Sequence, residues 1–423
     1  MRALYTLATY LAVPFVCAGM LWRSLREPAY RRGFAERFGL GAANARDSIW
    51  VHAASVGEVH AAEALIRALR REYPGWPVTL TTMTPAGAER AGALFGAAVQ
   101  VRLIPFDLPG AVARFLRRTR PRLAVILETE LWPNLYLACG RRGVPIVIAS
   151  ARVSERSARR YLRVAGLSRA LFSSEIRVAA QSSDDAQRFM AIGASPTQTS
   201  VAGNLKFDFE VPPGVRERGA ALRERYAPAR PCWVAGSTHE TEEQMLLEAH
   251  RLVRRQYSEA VLVLVPRHRN RFGEVAAWLA SSGARFVTRS AGGAYEAGTE
   301  VLLVDTLGEL LDFYQAGDVA FVGGTLVRVG GHNLLEPAAL ARPILIGPHY
   351  SNTADVAALL LAADAIGIVA NAAALANAVA KLFGDSRLRE ERGAAARAVV
   401  EANRGAVQKV LRLIAPLLAA QEP

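Results

Sequence analysis

The sequence predicts an α/β protein built from two doubly wound parallel sheets, joined by a linker and preceded by an apolar helix. The first observation is that short apolar runs alternate with helix-like stretches, which is typical of βαβ units. The second is that this alternation stops at residues 210–231, where the sequence VPPG indicates a linker. The third is an uncharged run of twenty residues at positions 3–22.

The short apolar runs are assigned to buried strands, because strands covered on both faces are almost continuously hydrophobic. In the first half they occupy residues 49–54, 78–82, 99–104, 123–127, 145–149 and 176–180. In the second half they occupy residues 232–235, 260–265, 286–288, 301–304, 319–322, 343–346 and 366–369. The predicted segments are an anchor with a basic juxtamembrane stretch (1–47), a first domain (48–209), a linker (210–231) and a second domain with C-terminal helices (232–423).

The positive charge of the chain is concentrated in its first half. Of the net charge of +13, residues 1–210 contribute 28 Lys and Arg against 16 Asp and Glu, and residues 211–423 contribute 23 against 22. A basic half indicates an anionic partner, such as nucleic acid, a phospholipid surface or a phosphorylated lipid. No nucleic-acid-binding motif is visible, and a nucleic-acid-binding protein would not explain the polar, glycine-rich ends of so many strands, so we predict no nucleic acid.

The apolar run at residues 3–22 is long enough to span a bilayer as one helix. Arg23, Arg26, Arg31 and Arg32 follow it, so the positive-inside rule keeps the bulk of the chain cytoplasmic. A cleaved signal peptide fits poorly, because the heavy positive charge lies on the wrong side of the run. A helix that lies in the membrane surface stays open as an alternative.

Several classes of site are absent from the sequence. Cys17, Cys139 and Cys232 are too scattered for a disulfide framework or a zinc site, and His and carboxylates do not cluster at metal-ligand spacings. We therefore expect no metal. There is no P-loop, no dinucleotide fingerprint after the first strand of either half, and no G-x-S-x-G nucleophile motif.

Polar residues that follow strands are the best site candidates, because ligands of open α/β sheets bind beyond the carboxyl ends of the strands. Ser55 and Gly57 follow the first strand, and Glu58 then falls in the first helical turn. Glu58 could be a general base, but by position alone an acid that stabilises the helix start is the favoured interpretation.

Two further groups of polar residues end strands or segments of the first half. Glu128 and Glu130 follow the fourth strand, where a carboxylate needs either a function or a basic neighbour such as Arg152 or Lys206. Functional and structural roles are equally compatible with that position. Lys206 is one of three lysines beside 48 arginines, which hints at a specific use of an ammonium group.

The second half places glycine-rich loops after its strands. In the sequence GGTLVRVGGHNLLE, backbone N–H groups before a helix suit a phosphate, and Glu336 suits ribose hydroxyls. A capped, glycine-rich turn without a ligand is the alternative. Other strand exits offer hydroxyl or basic groups for an anion. The predicted donor-binding set is Ser237, Thr238, Arg267, His268, Gly323, Gly324, Gly330, Gly331, Asn333 and Glu336.

The order of the motifs is more specific than any of them alone. HAASVGEV, ETELWPN, GNLKFD, AGSTHETEE, VPRHRNRF, GGHNLLEPAA and IGPHYSN follow an N-terminal apolar segment. Over essentially its whole length the chain resembles the 3-deoxy-D-manno-octulosonic acid (Kdo) transferases of lipid A assembly. The resemblance implies a GT-B glycosyltransferase, with two Rossmann-like domains facing across a cleft. It also implies CMP-Kdo as donor, lipid IVA as acceptor, inversion at the transferred carbon, and neither a metal nor a cofactor.

The resemblance also implies roles for individual residues. Glu58 would be the general base, which reverses the interpretation from position alone. Glu128 or Glu130, together with Lys206, would lie near the donor sugar. In the second domain, Arg267, His268 and the glycine-rich loop would bind the donor, with Glu336 on the ribose.

The acceptor-binding candidates lie in the basic first domain. Arg114 and Arg117 belong to an arginine cluster without an acid, which could hold the acceptor's phosphates or could be a solvated helix face. The complete acceptor-binding set is Ser55, Gly57, Arg114 and Arg117. The expected location is the inner membrane, with the catalytic domains in the cytoplasm. Another lipid-linked GT-B glycosyltransferase and, less favoured, a sugar-nucleotide epimerase are the alternatives.

Overall fold

The structure is a computed structural model that describes residues 2–44, 46–172, 175–292 and 298–420. It divides the chain into two compact units, each with its own parallel sheet. The first unit comprises Met1–Phe209 and Asn403–Pro423, and the second comprises Glu210–Ala402.

The first unit contains a seven-stranded sheet in the order β3-β2-β1-β4-β5-β6-β7, in which every described pair is parallel. Its strands are β1 Ser48–His52, β2 Val78–Thr82, β3 Gln100–Leu103, β4 Pro121–Leu127, β5 Ile146–Ala151, β6 Ile176–Ala180 and β7 Thr199–Val201. Its helices up to that point are α1 Arg2–Ser24, α2 Val56–Glu72, α3 Pro85–Phe95, α4 Pro109–Thr119, α5 Pro133–Gly140, α6 Glu155–Leu162, α7 Ala165–Leu171 and α8 Ser183–Ile192.

Both faces of this sheet are covered. Successive side chains of a strand point to opposite faces, so Ile49 and Val51 belong to one hydrophobic core and Trp50 to the other. All five residues of β1 are buried. This two-sided burial explains why the strands are recognisable as continuous apolar runs.

The second unit contains a seven-stranded parallel sheet in the order β10-β11-β9-β8-β12-β13-β14. Its strands are β8 Cys232–Thr238, β9 Val261–Pro266, β10 Phe286–Thr288, β11 Val301–Leu303, β12 Val319–Val322, β13 Ile344–Ile346 and β14 Ile366–Ile368. Its helices are α9 Val215–Tyr226, α10 Glu242–Gln256, α11 Phe272–Ser281, α12 Leu310–Ala316, α13 Leu335–Ala339, α14 Ala354–Ala362, α15 Ala372–Gly384 and α16 Ser386–Ala402.

The last helix, α17 Ala406–Ala419, corrects the predicted assignment of all C-terminal helices to the second domain. Val410 and Ile414 are fully buried in the core of the first unit, beside α2. The Asp208 carboxylate accepts the N–H groups of Gly405 (2.6 Å) and Val407 (2.5 Å) at the start of α17. The motif GNLKFD therefore contains a helix cap as well as Lys206.

Every strand predicted from the sequence is present, with ends shifted by at most three residues. The sequence pattern missed β7, because this strand has three residues at the sheet edge and Val201 is 46% exposed. The prediction of a linker at residues 210–231 is also wrong, because this segment contains α9, which packs against α12 of the second unit. The outermost positions of the predicted ranges 1–47 and 232–423 lie outside the described residues.

Candidate active site

In the first sheet the strand order reverses between β1 and β4, which are hydrogen-bonded neighbours. The loops that leave two such strands run to opposite faces of the sheet and open a crevice at their carboxyl ends, where ligands bind. Glu58 follows β1, and Glu128 and Glu130 follow β4. The fold thus brings these three acids, which the sequence separates by about seventy residues, to one crevice.

The Glu58 side chain is held by the loop that begins α2. Its carboxylate accepts the N–H of Ala54 (2.8 Å) and the hydroxyl of Ser55 (2.9 Å), while Ser55 Oγ accepts the N–H of Glu58. Ser55 is therefore the N-cap of α2 in a variant of the capping box. Glu58 therefore stabilises the start of α2, as its position in the sequence predicted. The same hydrogen bonds fix the orientation of its carboxylate.

Burial raises the pKa of Glu58 to about 7, and the neighbouring acids Glu128 and Glu130 act in the same direction. The N–H of Ala54 and the hydroxyl of Ser55 oppose this rise in pKa. A carboxylate with a pKa near neutrality is matched to general base catalysis, because it is both available and basic enough to take a proton. The two interpretations of Glu58 are therefore compatible.

Gly57 lies exposed between Ser55 and Glu58. A Cβ atom at this position would meet nothing closer than Ser55 Oγ at 3.8 Å, so the described fold of the unit does not require glycine there. Glycine does leave the backbone beside the Glu58 carboxylate open to a close approach by another molecule.

The two acids after β4 differ in their local structure. Glu128 adopts a left-handed backbone conformation with φ of 57°, which is uncommon for a residue with a side chain. Glu130 accepts a hydrogen bond from the indole N–H of Trp132 (2.8 Å), and its burial raises the pKa of its carboxyl group. Strain at the end of a buried strand is typical of functional sites, which favours Glu128 as a functional acid.

The segment that carries Lys206 crosses the same edge of the sheet. It forms a short 3-10 helix, Leu205–Asp208, that packs against α2. The N–H of Leu205 donates to Ser150 Oγ at the end of β5 (3.0 Å). Lys206 therefore belongs to the carboxyl edge of the sheet, as do the three acids.

The structure does not bring the acceptor-binding candidates Arg114 and Arg117 to this edge. Arg114 Nε donates to the carbonyl of Phe38 (2.9 Å) and holds the N-terminal segment. Arg117 lies in the last turn of α4 and lines a cavity of about 280 Å³ with Asp47 and Pro121, at the amino ends of β1 and β4. Because the strands are parallel, this cavity is at the opposite end of the sheet from Glu58.

In the second sheet the strand order reverses between β8 and β12. The loops after these strands carry most of the predicted donor-binding residues. Their backbone N–H groups, however, are largely used within the unit. Gly324, Thr325 and Leu326 donate their N–H groups to the Glu242 carboxylate at 2.7, 3.1 and 3.0 Å. This part of the loop therefore binds the protein's own carboxylate and not a phosphate, which corrects the prediction.

The sequence pattern did not single out Glu242, because an acid in a first helical turn is ordinary. It is fully buried at the start of α10, and it also accepts the N–H of His239. Burial raises the pKa of Glu242, and the four backbone N–H groups oppose that rise. The sequence did contain a signal for this role of Glu242. A glycine-rich loop follows one strand and an acid in a first helical turn follows another, and buried N–H groups of such a loop need an acceptor.

Other predicted donor contacts are also structural. The hydroxyl of Thr238 donates to Glu243 (3.1 Å), which also binds Arg271 at 2.9 Å. Ser237 is buried with a left-handed backbone, and a Cβ atom on Gly323 would lie 2.5 Å from its carbonyl oxygen. Thr238 thus joins β8 to the start of α10, and Gly323 allows β12 to end close to Ser237 of β8.

The later glycines of the loop are required by the backbone. Gly330 and Gly331 have φ of 105° and 83°, and both donate their N–H groups to the carbonyl of Gly324. Asn333 accepts the N–H of Leu335 (3.0 Å) and donates to Glu336 (3.2 Å). Asn333 and Glu336 thus lie together at the start of α13.

Three histidines gather at the carboxyl edge of the second sheet, and the sequence did not reveal this cluster. The Nε2 atoms of His239 and His332 are 2.7 Å apart and their rings are stacked, while His268 contacts His239 edge-on. Burial lowers the pKa of His239 to about 4 and that of His332 to about 3, and the nearby Arg267 contributes to both shifts. Both imidazoles are therefore neutral at pH 7.

Arg267 and His268 are exposed at the end of β9, beside this pair. The exposed Arg267 guanidinium carries hydrogen-bond donors, and the imidazole of His268 is exposed beside it. Such groups suit an anionic ligand. No group of three or more His, Cys, Asp or Glu side chains that could hold a metal ion occurs among the described residues.

Two Rossmann-like units, each with polar side chains at its strand-order reversal, define the GT-B fold class of nucleotide-sugar enzymes. Solved structures support this class. MnaA of S. aureus in a co-structure with UDP has a TM-score of 0.54 at 14% identity, covering 88% of this chain and 97% of its own. A glycosyltransferase from Rickettsia africae has a TM-score of 0.55 at 12% identity, covering 89% and 99%. Similarity at this level of identity concerns the fold alone.

Sequence relatives identify the family. The 3-deoxy-D-manno-octulosonic-acid transferase (kdotransferase) family matches residues 32–209. A 3-deoxy-D-manno-octulosonic acid transferase of Haemophilus influenzae is 38% identical, covering 99% of both chains, and one of Bordetella pertussis is 37% identical, covering 97% and 98%. The chain belongs to the Kdo transferase family, and it is a glycosyltransferase.

Proposed function

We propose that this protein transfers Kdo from CMP-Kdo to lipid IVA, with inversion at the anomeric carbon and with Glu58 as the general base. The observation that carries the proposal is the Glu58 carboxylate, which is oriented by Ala54 and Ser55 and has a pKa of about 7. A base of this kind can take the proton of a sugar hydroxyl at neutral pH.

In the proposed step, an acceptor hydroxyl oxygen attacks the anomeric carbon of Kdo. Its proton passes to Glu58, a new carbon–oxygen bond forms, and the bond to the CMP phosphate breaks. CMP leaves with the electron pair of that bond, so negative charge develops on its phosphate. Donors that are already in position stabilise charge that develops during the reaction.

The donor would be bound by the second unit. Arg267 and the neutral imidazoles of His239, His268 and His332 are the proposed partners of its phosphate or carboxylate, and Glu336 is the proposed ribose ligand. Kdo carries a carboxylate at its anomeric centre, and the ammonium group of Lys206 is a proposed partner of that carboxylate. The reaction needs no metal or cofactor in this proposal.

The acceptor would be taken from the inner membrane, with both units in the cytoplasm. Two observations support this location. Among the described residues α1 is the one helix that is long and apolar enough to cross a membrane. Residues 1–210 carry nearly all of the net positive charge, which suits anionic lipid.

The test is Kdo transfer to lipid IVA by detergent-solubilised protein, with CMP-Kdo generated in the assay. We expect transfer by the wild type and a loss of about 10²- to 10⁴-fold in Glu58→Gln. Glu63→Gln, on the same helix, is the matched control and should keep full activity. Equal activity of Glu58→Gln and wild type would remove the base from Glu58. No transfer by folded wild-type protein would exclude this donor and acceptor pair.

A further inference from the structure

Helix α1 has two different faces. Six large apolar side chains, on the helix and at the residue that follows it, are 56% or more exposed and recur at the spacing of one helix face. The partly buried positions 6, 9, 13, 17 and 20, together with the buried position 24, recur on the opposite face. The exposed side chains are Leu4, Leu7, Leu11, Phe15, Trp22 and Leu25, which we call the apolar stripe.

The N-terminal end of α1 is bonded to the first unit. The hydroxyl of Tyr5 donates to Asp107 (2.9 Å), and the hydroxyl of Thr6 donates to Asn134 Oδ1 (3.1 Å). Asp107 also accepts the N–H groups of Asn134 and Leu135 at the start of α5. This end of the helix is therefore fixed to a capped helix of the unit.

The C-terminal end of α1 returns to the same part of the unit. Arg31 Nε donates to Ser24 Oγ (3.1 Å), and Gly33, two residues later, packs against Leu103. The next segment is locked in place by Arg37, which donates to the carbonyl of Ile104 (3.1 Å).

These contacts determine the direction of the helix. A helix rises 1.5 Å per residue, so Tyr5 and Ser24 are about 28 Å apart. Leu103 and Asp107 are four residues apart in sequence, so the distance between their Cα atoms is at most about 15 Å. A helix that projected from the unit would carry Ser24 about 28 Å away from it, where Arg31 and Gly33 could not connect it to Leu103. The helix therefore lies along the surface of the unit.

We propose that α1 is an in-plane anchor: it lies in the cytoplasmic leaflet with the apolar stripe in the lipid, and it does not cross the bilayer. A spanning helix must be free to leave the protein, whereas α1 is bonded to the first unit at both of its ends and presents one exposed apolar face, as an interfacial helix does. The charges next to the stripe are complementary to anionic lipid headgroups, because Arg23, Arg26, Arg31 and Arg32 are exposed and accompanied by one acid, Glu27.

A neighbouring helix extends the same surface. Tyr161 of α6 lies within electrostatic interaction distance of Tyr5. Helix α6 carries exposed arginines and ends in Leu162, which is 45% exposed. Two helices of the first unit thus combine exposed apolar and basic side chains, as a protein surface in contact with an anionic leaflet requires.

The inference deepens the membrane attachment proposed above, and its test does not use the sugar reaction. A protease-sensitive tag is fused before residue 1, and a second tag after residue 423 marks the cytoplasmic side. In inverted inner-membrane vesicles the in-plane anchor leaves both tags open to protease, and intact spheroplasts protect both. Protection of the first tag in inverted vesicles, with its removal from spheroplasts, would show a spanning helix and overturn the proposal. Recovery of the protein without membranes would also overturn it.

A second measurement tests the apolar stripe itself. Binding to vesicles of phosphatidylcholine with phosphatidylglycerol should fall at least about tenfold in Phe15→Asp, because burial of one phenylalanine is lost. Phe15 is 80% exposed, so the variant should keep the circular dichroism and unfolding temperature of the wild type. Leu307→Asp, an equally drastic change at a 64% exposed leucine of the second unit, is the control and should bind normally. Normal binding by folded Phe15→Asp would contradict the proposal. Because no Kdo transfer is measured, an inactive enzyme would leave both results interpretable.

Discussion

Glu58 shows at the scale of one residue how a helix cap and the proposed general base coincide. The Ala54 N–H and the Ser55 hydroxyl fix its carboxylate, and burial keeps its pKa near neutrality. The sequence placed this acid correctly in the first helical turn. It could not reveal the neighbouring acids, because Glu128 and Glu130 come from a strand that only the sheet order makes adjacent.

The raised pKa of Glu58 predicts the pH dependence of the reaction. A base must be deprotonated to act, so kcat/KM should fall about tenfold per unit below pH 7 and level off above it. The pH–rate profile of the wild type checks this expectation. Ser55→Ala removes a hydrogen bond to the carboxylate, so it should move the inflection to higher pH. An unchanged inflection in Ser55→Ala would mean that another group titrates.

Glu242 predicts a different outcome, because its function is to hold a loop. Glu242→Gln replaces two acceptor oxygens by one oxygen and an amide, so N–H groups of Gly324, Thr325 and Leu326 lose partners. We expect a loss of about 3 kcal/mol in the opening free energy of this loop. Hydrogen-exchange mass spectrometry of residues 322–327 measures it. The exposed Glu240→Gln should change it by less than about 0.5 kcal/mol.

At the scale of elements, α17 joins the first unit although it follows the second in sequence. Its buried face packs beside α2, and Asp208 caps its first turn. The sequence predicted C-terminal helices but not the location of this one, because an apolar helix face packs equally well against any exposed hydrophobic surface. The sequence of residues 210–231 likewise did not predict α9, because its proline and glycine residues indicated a turn.

The position of α17 predicts where its mutation acts. Ile414 is fully buried, so Ile414→Ala should destabilise the first unit by about 3 kcal/mol. Hydrogen exchange in α2 should increase accordingly, and exchange in the second unit should not change. Gln408→Ala, at an exposed position of the same helix, is the matched control. Faster exchange confined to the second unit would refute the assignment of α17.

At the scale of the whole molecule, each unit has its own cores and its own parallel sheet. The first unit is discontinuous in sequence, because it needs the segment after Ala402. Its charge is also distinct, since the net positive charge lies almost wholly in residues 1–210.

This division predicts the behaviour of fragments. Residues 210–402 should fold alone and bind CMP, because the sheet and the histidine cluster of this unit are complete within them. A fragment of residues 1–209 should aggregate, because the apolar surface that α17 covers is exposed. Circular dichroism and titration calorimetry are the measurements, and co-expression with residues 403–423 should restore a soluble first unit. A stable, monomeric fragment 1–209 would be the contrary result.

The sequence by itself determined the parallel-sheet architecture, every described strand except β7, the boundary near residue 210 and the position of Glu58. Alternation of apolar runs and turn chemistry are local properties, which a sequence pattern contains. The tertiary structure decided which groups are available to a ligand. N–H groups of the glycine-rich loop donate to Glu242. Arg117 lies at the amino end of the first sheet. Three histidines that are distant in sequence come together in the second unit. It also laid α1 along the first unit. These facts depend on contacts between residues distant in sequence, which a local pattern does not contain.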